Sequence, residues 1–351
     1  MILTLLVLSL VIFYTTIFYS PEQRAMMFAS PSAYSHPGQD FWSSIPDIIK
    51  KYHLDDPFYV QYARWLQGLL TGGSLGYSFL FDEWISVLIL KRLPATLELI
   101  IYSTPIIVFG GIKLGAYSAR RAYERKRRED PIDFLVRAVS AWAYSIPTFF
   151  VALVLISIVS LSLHWLPLGR VGTFSYQFIT SRQWVSYTGL YTIDALLNGQ
   201  FWIFLDALTR LALPVLTLTV SMLPVVVKVT RSSMLGELGK EYVVTAKAKG
   251  LRKVKVISHA KRNAMISVLT ISSILVSSML TGIVITEFIF DLKGIGWLVT
   301  IAAGGGHEMV RGVYFDFALL AGLAVFFCVI FVIVNLIVDI IYTYVDPRVK
   351  L

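Results

Sequence analysis

The chain has 351 residues, of which 56% are hydrophobic, 14% aromatic and 15% charged, with a mean hydropathy of +0.69. This excludes a soluble globular protein, because the apolar residues gather into runs of roughly 20, the length that crosses a bilayer. The formal net charge of +9 invites a nucleic-acid reading, but the basic loops lack the interleaved aromatics that would stack on bases, which excludes that class too.

Six spans are predicted in chain order, at residues 2–19, 93–119, 134–163, 206–229, 269–290 and 315–342. The first reads as an uncleaved span and not a signal peptide, since it has no basic n-region and no small-residue cleavage pattern before Pro21. Residues 20–92 then form a sizeable region rich in Pro, Gly, Tyr and Trp. Within it, DPFYVQYARWLQGLL reads as an amphipathic helix with Asp55 or Asp56 at its N-cap, and LTGGSLGYSF as a turn. A second outer segment, 165–205, is polar and aromatic. The two together could cap the membrane domain, as packing and interfacial aromatics or as a docking surface for something that delivers substrate. Cys328, the single cysteine, lies in an apolar run, so no disulfide within the chain is possible.

Positive charge fixes the orientation. Arg120, Arg121, Arg125, Lys126, Arg127, Arg128 and Arg137 lie between spans two and three, ten more Lys and Arg lie from Lys228 to Arg262, and Arg348 and Lys350 follow span six. All of these fall on one side. The other side carries ten basic residues, spread over much longer loops: Arg24, Lys50, Lys51, Arg64, Lys91, Arg92, Arg170, Arg182, Lys293 and Arg311. Both termini are therefore expected in the cytoplasm of a cell-membrane protein, and the basic residues also favour anionic lipid.

The predicted domains are a first span (1–19), an extracytoplasmic region (20–92), a five-helix membrane core (93–342) containing a cytoplasmic loop (231–268), and a cytoplasmic tail (343–351). That loop opens with RSSMLGELG and continues as KEYVVTAKAKGL, a short helix with Glu241 near its positive end and Gly250 at its C-terminus. A second helix begins around Val254, Ile257 and Ser258 and leads into span five. Ala246 and Ala248 are small enough for a partner surface to approach closely. The competing reading is a solvated basic helix that only stabilises topology.

Glu241-Tyr242-Val243, Thr245-Ala246, Ala248-Lys249-Gly250-Leu251, His259 and Arg262-Asn263-Ala264 together resemble the EAA-type coupling loop of ABC importer permeases, specifically the oligopeptide/dipeptide, binding-protein-dependent family. KRLPATLEL (91–99), SIPTFF (145–150), HWLPLGR (164–170), TEFIFDLKGIGWL (286–298) and YTYVDPRVK (342–350) also resemble that family, in the same order. There are two departures. Ser267 stands near where the family usually has proline, which predicts a straighter start to span five, and the basic stretch common before span one is missing.

The resemblance implies an all-α integral membrane protein with the type I ABC importer permease fold. It also implies that the chain is no enzyme and binds no cofactor or metal. Its partners would be two cytoplasmic ABC ATPase subunits that hydrolyse ATP, a second homologous permease completing a heterodimer, an extracytoplasmic substrate-binding protein and the lipid membrane. Glu241, Tyr242, Thr245, Ala246, Lys249, Gly250, Leu251, His259, Arg262 and Asn263 would form the ATPase-coupling loop. The implied substrates are oligopeptides or dipeptides, with oligosaccharides as the alternative.

Other chemistry is poorly supported. GELGKE (236–241) lacks the spacing and the Ser or Thr of a P-loop. Glu98, Lys113, Arg210, Glu287, Asp291 and Asp339 lie within or near spans, where ionisable groups are costly and often functional, but most sit near span ends where snorkelling suffices. The Gly304–Gly306 run followed by His307 and Glu308 reads as a turn without a metal ligand set, and His36, His53 and His164 are scattered. Gly110, Gly111 and Gly282 are candidate points of close helix approach. A secondary transporter would show inverted repeats and broken helices. No convincing repeat is present, although Pro214 and Pro224 interrupt span four.

Overall fold

The computed structural model describes residues 2–15, 18, 20–28, 41–72, 74–78, 80–125, 130–304 and 316–345. The sequence-based assignments to Lys126, Arg127, Arg128, Gly305, Gly306, His307, Glu308, Arg311, Arg348, Lys350 and His36, and to the side chain of Asp339, lie outside them. In chain order the helices are α1 (Ile2–Thr15), α2 (Pro21–Phe28), α3 (Phe41–Tyr52), α4 (Phe58–Gly72), α5 (Ile85–Glu124), α6 (Pro131–Ser145) and α7 (Thr148–Leu155). A π-helical run, Ile156–Ser162, continues α7. Then come α8 (Thr173–Ile179), α9 (Tyr191–Leu197), α10 (Phe201–Leu238), α11 (Glu241–Ala248), α12 (Lys253–Ile289), α13 (Ile295–Ala302) and α14 (Phe317–Val345). The strands β1 (Tyr77–Ser78) and β2 (Glu83–Trp84) pair antiparallel, with Tyr77 opposite Trp84 and Ser78 opposite Glu83. This small hairpin stands where the sequence suggested only a turn, in an otherwise helical chain.

Among the described residues, three helices are long and apolar enough to cross a membrane: Ile85–Glu124, Phe201–Leu238 and the Phe317–Ile337 part of α14. A fourth is added if α6 and the α7–π run form one span. The chain is a multi-pass membrane protein; the full count of six belongs to the proposal below.

The third predicted span needs correction. It is two helical pieces bent by 97°, not one straight helix. Ile146 is extended (φ −89, ψ 127), because the ring of Pro147 disfavours the α conformation in the residue before it, and Pro147 has no N–H to donate. The fourth span needs the opposite correction. Pro214 and Pro224 lie inside α10 without breaking it, and the segment 231–238, expected as the opening of a loop, continues the same helix. Both prolines are buried, so packing against neighbouring helices offsets the hydrogen bonds they remove. α12 runs unbroken past Ser267.

The chain divides into two units, 1–95 with 293–332, and 96–292 with 333–351. In the first, α1 packs on α4 through Phe13, whose ring centroid lies 5.6 Å from that of Tyr62 and 5.4 Å from that of Trp65. Ala25, Ile45 and Leu54 form a small core under α2 and α3. α4 starts after Pro57, so neither Asp55 nor Asp56 takes the expected cap position, and Asp56 pairs instead with Arg64 at 2.5 Å. A second core joins Ile85, Leu88 and Ile89 to Ile295, Leu298, Leu319 and Leu323. Asp316 begins α14 by accepting the Leu319 N–H at 2.9 Å, and its other oxygen accepts the Ser78 hydroxyl at 2.6 Å.

In the second unit α10 is the central element. It lies along α12 and also meets α6, α7 and α9. The core gathers Leu99 and Ile107 from α5, Leu211, Leu218 and Val226 from α10, and Met279 and Ile283 from α12. α5 approaches α10 so closely that a Cβ on Gly115 would sit 2.6 Å from the Val227 carbonyl oxygen, and one on Gly111 would sit 2.5 Å from the Val226 Cβ. Gly282 on α12 faces Met222 and Leu218 in the same way, at 3.2 and 3.4 Å. The expected approaches at Gly111, Gly282 and Gly110, where a Cβ would sit 3.2 Å from Leu223, thus serve packing within the chain, and Gly115 adds one the sequence reading did not name.

Candidate functional site: the basic connection between α10 and α12

α10 ends at Leu238 with Gly239 as its cap, and after the extended residue Lys240 the chain turns into α11. The end of α11 is fixed by Gly250, whose φ of +75° lies in the left-handed region that glycine adopts without a Cβ penalty. The Gly250 N–H donates to the Lys247 carbonyl at 2.9 Å and the Leu251 N–H to the Ala246 carbonyl at 3.2 Å. That pair of bonds satisfies the orphan carbonyls of a helix C-terminus. α12 then starts at Lys253, close to where the sequence placed it.

Three contacts hold α11 in place. Val243, 1% exposed, is its buried anchor. The Tyr242 hydroxyl donates to Glu237 Oε2 at 3.0 Å, while Glu237 Oε1 accepts from Lys240 at 2.6 Å. Burial pushes the Tyr242 phenol up; an interaction with Asn263 opposes this and Glu237 reinforces it, so the phenol stays protonated and donates. Lys247 Nζ lies 4.7 Å from the centroid of the Tyr123 ring, near the end of α5. Ala119, Met234 and Ala264 bring α5, α10 and α12 into one buried cluster.

The helix repeat then sorts the remaining side chains of α11. Glu241, Val244 and Ala248 make an exposed outer stripe, with Val244 65% exposed. Tyr242, Thr245, Ala246 and Lys249 line a cleft of about 290 Å³, whose other wall is Val256, His259 and Asn263 on α12 and whose corner is Leu251. Seven of the ten sequence-predicted site residues therefore come together. Glu241 heads the outer stripe, Gly250 makes the turn, and Arg262 is exposed on α12 without lining the cleft. The sequence reading missed Val256, which lines the cleft, and Glu237, which orients Tyr242. Glu237 had been counted as loop, and only its spacing of five from Tyr242 hinted at the contact.

A second charged assembly ties the end of α10 to α6. Arg231 reaches both oxygens of Asp133, Nε to Oδ1 at 2.6 Å and Nη2 to Oδ2 at 2.8 Å. Asp130 caps α6 by accepting the N–H groups of Ile132 and Asp133 and lies 3.3 and 3.2 Å from Arg121 and Arg125. Burial pushes the Asp130 carboxyl up, but those two N–H groups and the two arginines outweigh it and hold it below the usual carboxylate range.

Of the span carboxylates, Glu98 and Glu287 are buried and do not snorkel, whereas Asp291 is exposed. Glu98 is 1% exposed and accepts the Thr192 N–H at 2.7 Å, the Thr192 hydroxyl at 2.8 Å and Arg170 Nη2 at 3.0 Å. Arg170 also donates to the Gly189 carbonyl and lies 3.7 Å over the Tyr191 ring centroid. Glu287, fully buried, accepts from Thr96 at 2.6 Å. Asp206 takes the Gly172 N–H, the Ser175 hydroxyl and Arg210. Among the described residues no group of three or more His, Cys, Asp or Glu is placed to hold a metal.

A bent span and long apolar helices, two of them joined by a short helix in a basic connection, belong to a multi-pass membrane protein, and comparison with known proteins gives its class. Residues 111–351 match the family described as the inner membrane component of binding-protein-dependent transport systems, and the chain belongs to that family. It is 34% identical over 305 residues to the oligopeptide transport system permease protein AppB of Bacillus subtilis, covering 86% of this chain and 84% of that protein. It is 35% identical over 306 residues to the di/tripeptide transport system permease protein DppB of Pseudomonas aeruginosa, covering 87% and 84%. The dipeptide transport system permease protein DppB of Escherichia coli K12 is 32% identical over 311 residues, covering 86% and 84%.

Proposed function

We propose that the chain is one permease subunit of an ATP-driven importer of dipeptides or oligopeptides, and that α11 is the element through which a cytoplasmic ATPase drives it. The similar proteins named above all carry peptide transport in their names, which favours peptides over oligosaccharides. The observation that carries the coupling role is the build of α11: a short helix closed by Gly250, anchored by Val243, Tyr242 and Lys247, and offering an exposed stripe headed by Glu241 and continued by Val244 and Ala248. A rigid body fixed to two long helices passes a push to both, whereas a loose loop would absorb it.

In this reading six helices cross the inner membrane, both termini and residues 231–268 face the cytoplasm, and residues 20–92 face outward. The excess of Lys and Arg on one side supports that orientation. ATP hydrolysis belongs to two separate ATPase subunits. A second permease completes the pathway and an extracytoplasmic binding protein delivers the peptide.

The test is Gly250→Asp in the assembled transporter. The complex is expected to assemble and to lose most of the ATP hydrolysis stimulated by loaded binding protein. Normal stimulation in an intact Gly250→Asp complex would overturn the coupling role.

A further inference from the structure

The cleft beside α11 has a chemistry that docking of the helix alone does not require. Lys249 on one wall and His259 and Asn263 on the other supply hydrogen-bond donors, the Thr245 hydroxyl already donates to the Glu241 carbonyl at 3.2 Å, and Ala246 and Val256 add apolar lining. No carboxylate lines it. Of the two nearby acids, Glu237 already serves Lys240 and Tyr242, and Glu241 belongs to the outer stripe. Arg252, one turn before Val256 on the same face of the chain, is exposed, as are Lys253, Lys255 and Arg262 in the same stretch, while the helix repeat puts Lys261 on the far face of α12. This is a concave space with an apolar lining, donors on both walls and the Lys249 ammonium as its charge. It matches a short aliphatic stem that ends in a negative charge.

We infer that the cleft receives an aspartate or glutamate side chain from the docking surface of the ATPase, with Lys249 as its charged partner and His259 and Asn263 as its flanking donors. The inference rests on the reading of α11 as the docking element, and it makes the contact reciprocal: α11 enters the partner while the partner's acid enters the cleft. A membrane surface fits less well. Anionic lipid is served by lysines spread over a face and needs no cleft, and the wall carrying Lys249 adjoins the outer stripe through Thr245 and Ala248, where a protein partner would already sit.

The experiment uses the complete transporter in nanodiscs, treated with a zero-length carbodiimide that joins an amine to a carboxylate in contact with it. Mass spectrometry is expected to find Lys249 joined to an Asp or Glu of the ATPase. Lys249→Arg should abolish that link, and Lys249→Glu should weaken binding about tenfold, the scale of reversing one partly screened charge pair. A parallel cysteine crosslink from Ala248→Cys to the ATPase reports on docking by itself. If Ala248 crosslinks and Lys249 does not, docking stands and the acid-in-cleft contact is wrong. If neither crosslinks, the docking reading itself fails. If Lys249 is protected from amine acetylation by phosphatidylglycerol in ATPase-free nanodiscs as fully as by the ATPase, the cleft is a lipid site and the inference is overturned.

Discussion

Between α7 and α10 the chain uses its charges largely on itself and on the helices beside it, with Arg182 the exposed exception. Glu98 takes Arg170 and Thr192, Asp206 takes Arg210, Gly172 and Ser175, and the fully buried Asp194 takes the N–H groups of Thr188 and Gly189 at 2.8 and 2.9 Å. Between α10 and the start of α12 the balance tips the other way, Lys240 with its Glu237 partner being the exception. Lys249, Arg252, Lys253, Lys255, Lys261 and Arg262 are exposed, and none pairs with a carboxylate among the described residues. Both connections leave the same helix, so the difference is not one of general polarity. Charges consumed internally make a loop part of the folded body. Charges left facing outward, on a backbone that is nevertheless capped and anchored, mark a surface prepared for another molecule.

If the contrast is sound, damage to the first connection is read as stability and damage to the second as coupling. The largest effect is expected for Glu98→Ala. Arg170 would lose its carboxylate in a mostly buried setting, at a cost of about 3–5 kcal/mol, visible as a much lower melting temperature in detergent. Glu98→Gln should recover part of this, because its carbonyl can still accept from Thr192. Asp206→Asn comes next, at about 1–3 kcal/mol, with faster proteolysis within 173–200 as the local readout. Gly250→Ala places a Cβ at φ +75° and should cost about 1 kcal/mol of stability while depressing substrate-stimulated ATP hydrolysis far more than the melting temperature suggests.

Asp130→Asn provides a pH test. The folded carboxyl titrates below its unfolded value, so its ionised form stabilises the protein above roughly pH 4 and that contribution is lost as pH falls through the depressed folded value. The melting difference between parent and variant should be full at neutral pH and shrink below about pH 4. The smallest effect is expected for Lys261→Gln, within about 0.5 kcal/mol. A large loss of stability there would mean that the outward-facing charges also hold the fold, and the contrast would dissolve.

Sequence alone conveys the second connection better than the first, for a physical reason. The elements around α11 are local: a helix of eight residues, a glycine that closes it and a restart three residues later all depend on near neighbours. The knot around Glu98 joins positions 72 and 94 residues apart, and no periodicity signals such a partner, so the carboxylate reads as one that reaches for the membrane surface. The prolines make the same point. Pro147 breaks its span and Pro214 and Pro224 do not. The residue type is identical in each case, and the outcome depends on what packs around it.

α10 has 38 residues, about 57 Å at 1.5 Å per residue. One end is clamped by Asp206 and Arg210 and the other carries Glu237, which holds Tyr242. It is in effect a tie-rod between the two connections. A tilt of about 5° about one end sweeps the other by about 5 Å, roughly one helical turn. Such a rod yields first where its own hydrogen bonds are missing, at Pro214 and Pro224, so the stretch between them sets how much of a push at one end is delivered to the other and how much is lost in flexure.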